Sequence, residues 1–123
     1  MRGDSIRRAN LLAEALASPE VEDRRQATSL LGVIDLAQAL PMLVQALGDE
    51  DWRVRKEAAA AARAFLGERG LVQELVRVLG PGYEGAGAAS DNVGLRIAAV
   101  EVLAAAGPLA PPALAVALAS LDA

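Results

Sequence analysis

The sequence predicts an all-α fold, a solenoid of stacked antiparallel helix hairpins, and three observations carry that expectation. The first is a recurrence. Arg24-x-x-Ala27, Arg55-x-x-Ala58 and Arg96-x-x-Ala99 stand 31 and then 41 residues apart, and self-similarity at a period of roughly thirty residues marks repeats that stack side by side. The second is register: Leu12 and Leu16 precede Arg24 by the same intervals at which Leu43 and Leu47 precede Arg55. Each arginine therefore marks the first helix, A, of a hairpin that follows the second helix, B, of the unit before. The third is composition. Alanine, leucine, arginine and glutamate dominate a chain of 123 residues with one Trp, one Tyr and one Phe, which favours helices and leaves little material for strands.

The elements follow in order. A first B helix is expected at 5–17, so the order begins in mid-repeat. Ser18-Pro19 then places a capping hydroxyl before a proline suited to the first helical position, opening an A helix at 20–31. Asp35-x-x-Gln38 has the form of a capping box for the B helix at 36–47, whose regular part is expected to begin near Pro41, as that of the last B helix does near Pro112. Asp51 caps the next A helix at 52–66, a B helix follows at 69–79, and Ser90-Asp91-Asn92 precede an A helix at 93–106. A last B helix covers 112–121. Gly32, Gly67 and Gly107 fall where left-handed residues end A helices. The whole, 1–123, reads as a single domain with repeats at about 18–48, 49–80 and 90–121 and an insertion at 80–90 that glycine and alanine make mobile.

Chemistry is bounded as firmly as shape. With neither histidine nor cysteine, disulfides, thiol catalysis, histidine general bases and ordinary zinc sites are excluded, and a reducing, cytoplasmic setting fits. No cofactor and no metal is expected. A net charge of −4 and a pI near 4.8 oppose attraction to nucleic-acid phosphates or anionic membranes. Val102–Leu121 is uncharged over a length that would span a bilayer, but it is rich in alanine, and Gly107-Pro108 and Pro111-Pro112 interrupt it, so two buried helices are expected instead.

The run from Ser29 to Arg55, SLLGVIDLAQALPMLVQALGDEDWRVR, resembles the HEAT-like repeat of the phycocyanobilin-lyase type, and the resemblance extends over nearly the whole chain. It implies a right-handed α-solenoid used for protein recognition, in a superfamily of scaffolds, lyase subunits and a nucleic-acid repair group. Two departures stand out. Arg63 occupies a place where glycine is usual, and the link before the last A helix is ten residues longer than the period.

Each candidate site has a plainer competitor. Arg24, Arg55 and Arg96 form either a basic stripe for an anionic partner or a structural ladder bonded to neighbouring turns through groups such as Asp49 and Asp51; the ladder is the expectation. Gly80-Pro81-Gly82-Tyr83-Glu84-Gly85 matches G-x-G-x-x-G in spelling but follows a helix, so it reads as a loop, with Tyr83 a candidate contact. Trp52 packs on its own turn or anchors a partner. Asp49-Glu50-Asp51 caps a helix rather than binding a cation. Outward positions of the B helices give one row of Glu14, Gln45, Arg77 and Val116, with Leu11, Met42, Glu74 and Ala113 beside it. This row is chemically mixed, as suits an individual protein epitope.

The leading functional expectation is a non-catalytic interaction module or scaffold that presents a curved helical surface to another protein. The alternatives are an accessory subunit of a lyase-type modifying enzyme and, disfavoured by charge, a nucleic-acid-binding HEAT-like protein. The segment Ala113–Leu121 carries no charge on any face, unlike an ordinary polar end cap, so self-association through the C-terminal helix is also expected.

Overall fold

A computed structural model describes residues 2–80 and 93–105. Tyr83, the 90–92 cap, Gly107, Pro112, Val116 and the helix expected at 112–121 lie outside the described residues, as does the insertion beyond Gly80. Within them there are six α-helices, two 3-10 turns and no strand: α1 Arg2–Leu16, α2 Val21–Ser29, α3 Leu36–Leu47, α4 Trp52–Ala62, α5 Arg69–Leu79 and α6 Val93–Ala105, with the 3-10 turns at Leu31–Val33 and Arg63–Phe65. The helices form two layers. B helices α1, α3 and α5 lie side by side, A helices α2, α4 and α6 lie beside one another, and each A helix packs on the B helix before it.

The burial pattern explains why the layers hold. Leu71, Leu75, Val78 and Leu79 are the buried residues of α5, and Leu95, Ala98, Ala99, Val102 and Leu103 those of α6, spacings that put one stripe of each helix against its neighbours. The core between the layers is mainly leucine, alanine and valine, with Leu31, Leu43, Leu47, Leu71, Leu75, Leu95 and Leu103 fully enclosed. Five consecutive alanines, Ala58 to Ala62, give α4 the slim profile that a helix needs when other helices flank it. Helix α3 is the most enveloped, touching α1, α2, α4, α5 and α6.

Several helix ends differ from the sequence expectation. Asp51 caps α4 as expected, its carboxylate accepting from the Arg53 N–H at 2.8 Å. Helix α2, however, starts at Val21 rather than at Pro19: the Ser18 hydroxyl accepts from the Glu20 N–H at 3.1 Å and donates to Asp23 at 2.9 Å, two residues ahead of the cap position at Glu20. Asp35 stands at the N-cap of α3 but makes no side-chain cap bond, and Gln38 Oε1 is buried without a hydrogen-bond partner, so the capping box does not close. Pro41 lies well inside α3. Its ring is exposed, and the helix carries through it because the flanking apolar residues are held on several sides, an instance of packing overriding propensity.

The glycines also act differently from the expectation. Neither Gly32 nor Gly67 adopts a left-handed conformation; the A helices end instead by tightening into 3-10 turns, the Leu30 N–H reaching the carbonyls of Ala27 and Thr28. Gly32 is there for space, since a Cβ at that position would meet the Ala61 carbonyl oxygen and the Ala64 Cβ at 3.4 Å. Gly32→Ala is therefore expected to leave the urea midpoint unchanged or raised, and Gly32→Leu to destabilise by about 1–3 kcal/mol through overpacking between the two 3-10 turns.

Candidate protein interaction surface

The repeat arginines build a ladder at the end of the molecule where the A helices start. Arg24 Nη1 donates to the Ser18 carbonyl at 2.9 Å and Arg55 Nη1 to the Asp49 carbonyl at 2.7 Å, each reaching the residue six positions before it. Arg24 adds a bond to the Pro19 carbonyl and a forked contact with Asp49, Nε to Oδ2 at 2.9 Å and Nη2 to Oδ1 at 3.3 Å. Its side chain is 9% exposed and that of Asp49 12%. The Asp49 hydrogen bonds and charge keep the guanidinium even more firmly protonated than an ordinary arginine, against the desolvation of its site. Arg96 is half-buried on α6, and the residue six before it lies outside the described part. Arg24 and Arg55 thus each reach a carbonyl six residues earlier, and Asp49 takes part in the contacts of both.

Outside the ladder, the seam between α2 and α4 carries an ion-pair lattice. Arg25 bonds Glu22 on its own helix and Glu57 across the seam at 3.1 Å, while Arg53 pairs with Asp51 at 3.0 Å. The Arg25 hydrogen bonds hold the Glu22 carboxyl down at about 2, from an ordinary 4.5. Asp51 is held low by Arg53 in the same way. A depressed acid contributes stability above its unfolded pKa and loses it as pH falls through the folded value, so the lattice should be intact at neutral pH and dissolve between pH 4.5 and about 2. A carboxyl-resolved NMR titration should place the Glu22 midpoint well below those of unpaired glutamates. Molar salt should move it back upward, because the pair is exposed.

The proposed contact row is divided by the structure. Glu14 on α1, Gln45 on α3 and Arg77 on α5 are exposed on successive helices of the B layer, and Arg77 also pairs with Glu74 one turn earlier. Met42 is not an outward residue. It is 8% exposed within the core, and Glu74 is half-buried, whereas Leu11, at the matching position on α1, is 60% exposed. The difference is positional: α3 has a B helix on each side, so its flanks are covered along with its inner face, while among the described residues α1 has such a neighbour on one side only.

Trp52 is 61% exposed. It stands at the rim of a groove of about 520 Å³ between α4 and α6 that also includes Lys56, Arg63, Ile97 and Glu101, none of which was singled out from the sequence as a contact. The signal was available in the repeat alignment, where Arg63 already stood out as an arginine in a glycine's place.

Among the described residues no helix is long and apolar enough to cross a membrane, and no group of acidic residues is arranged to hold a metal ion. Compared with known proteins, residues 9–83 match the family described as HEAT repeats. No curated protein and no solved structure matches the chain.

Proposed function

The chain belongs to the HEAT-repeat family, and from that premise we propose that it is a non-catalytic, cytoplasmic interaction module whose helical surface holds another protein. The observation that carries this reading is the pair of large apolar side chains exposed on the A layer at the α4–α6 groove. Trp52 on α4 is joined across the groove by Ile97 on α6, 45% exposed. Single exposed apolar residues are ordinary, but a tryptophan facing an aliphatic side chain across a groove has the make-up of a binding hot spot. The mixed row of Glu14, Gln45 and Arg77 supports a protein epitope over a polyanion track, since an acid, an amide and a cation follow one another. Tyr83, Val116 and self-association through the C-terminal helix belong to the same proposal, as does the reading of 1–123 as a single repeat domain.

Incorporation of a photo-crosslinking phenylalanine analogue at Trp52 or Gln45, in the native host, tests the reading. A discrete adduct to one protein, absent when the analogue sits at exposed Arg7, supports an interaction module. Adducts dominated by nucleic acid would overturn it.

A further inference from the structure

The seam between α2 and α4 is closed at two places, by the Arg25–Glu57 ion pair and by the close approach at Gly32, where an added Cβ would meet Ala61 and Ala64. At the matching positions of the α4–α6 seam, neither feature recurs among the described residues. Counted from the repeat arginines, Lys56 stands in the place of Arg25 and Ala98 in that of Glu57; the cation is kept and the carboxylate that would meet it is missing. Arg63 stands in the place of Gly32, so a long charged side chain occupies the position where the first seam has room for little more than a methyl group. The groove of about 520 Å³ lies along this seam.

Its electrostatics run against those of the whole chain. Three cations, Arg55, Lys56 and Arg63, line it beside one carboxylate, Glu101, in a protein of net charge −4. Among the described residues neither Lys56 nor Arg63 is ion-paired, and Arg55 spends one donor on the Asp49 carbonyl. Trp52 and Ile97 supply exposed apolar surface on its two sides.

We propose that this α4–α6 groove docks an acidic peptide segment of a partner protein, with carboxylates interrupted by an apolar side chain. The assignment rests on the interaction-module reading and gives it a place and a ligand chemistry. The peptide's carboxylates meet Lys56 and Arg63 as Glu57 meets Arg25 in the first seam, and its apolar side chain lies against Trp52 and Ile97, removing both from water. Intermittent carboxylates suit the site better than a phosphate backbone does, because Glu101 interrupts the positive surface and a continuous polyanion has to pass it.

The test uses the full chain and a fluorescein-labelled peptide that repeats glutamate-aspartate-leucine, followed by fluorescence anisotropy, with amide chemical-shift mapping to locate it. Saturable binding that weakens with salt is expected, together with shifts on α4 and α6 and no binding of the matching glutamine-asparagine-leucine peptide. The double variant Lys56→Glu/Arg63→Glu, whose altered side chains are exposed, and Trp52→Ala should each weaken binding by about tenfold or more, while Arg7→Ala, at an exposed position on α1, leaves it unchanged. Circular dichroism establishes that each variant is folded. The proposal is overturned if the wild-type chain does not bind the peptide, if the folded double variant binds it equally well, or if an oligonucleotide displaces it. It also fails if chain concentration alone perturbs the groove, which would make the occupant a second copy. Shifts confined to α1, α3 and α5 would reject the groove while leaving the interaction-module reading, judged by crosslinking, in place.

Discussion

Replacing Arg24 by alanine is expected to destabilise the fold by about 2–4 kcal/mol, read as a lowered urea midpoint with an unchanged slope. Arg24 gathers the carbonyls of Ser18 and Pro19 and the carboxylate of Asp49, so one side chain ties the turn before α2 to the turn before α4. Without it, two carbonyls lose their donor and a nearly enclosed carboxylate keeps only the Asp51 N–H, and leaving such groups under-matched costs more than the bonds themselves contribute. Arg24→Lys should recover little of the loss, because a single ammonium cannot reproduce a forked contact and two carbonyl bonds at once. Arg55→Ala should cost only about 1 kcal/mol, since its described tie is one hydrogen bond to a backbone oxygen from a half-buried site. Equal midpoints for Arg24→Ala and wild type would mean that Asp49 regains water freely and that the ladder holds nothing together.

The second large effect is expected in the core and should depend on position along the array. Leu43→Ala should fall near the top of the ~2–5 kcal/mol range for buried leucines, and Leu12→Ala near the bottom. The two occupy matching places on α3 and α1. Leu43 is fully enclosed on a helix with neighbours on every flank, so the cavity cannot collapse from one side, while Leu12 lies on α1, which can settle inward as a body. In a stack whose stability is close to a sum of neighbour terms, inner units lose more from the same truncation. Comparable urea midpoints for the two variants would contradict this account.

The architecture was legible in the sequence because it is written redundantly. The arginine period, the leucine register and the scarcity of aromatic residues each point to the same stack, and the helices at 36–47 and 69–79 coincide with α3 and α5. What escaped depends on distances between helices rather than along them. Met42 has the spacing of a flank position, and only the presence of a B helix on either side of α3 buries it. Gly32 is spelled like a helix terminator, but its reason is the Ala61 backbone 29 positions later in the chain. Asp35 and Gln38 match a capping box in letters, whereas the path of the chain into α3 leaves them unjoined. The groove is half legible in the sequence: Arg63 departs from the repeat, but its effect needs the next A helix alongside it.

The unequal fastening of the two A-layer seams also has a mechanical consequence. A stack of this kind behaves as a row of plates joined by springs, and the springs here differ in stiffness. The α2–α4 joint is bolted through an ion pair and the close approach at Gly32, while across the α4–α6 joint the matching positions hold Lys56 opposite Ala98 and an arginine in place of the glycine. A bending or twisting load applied along the described array is expected to be taken up at the second joint, α1 to α4 moving as one stiff plate and the packed pair of α5 and α6 turning against it.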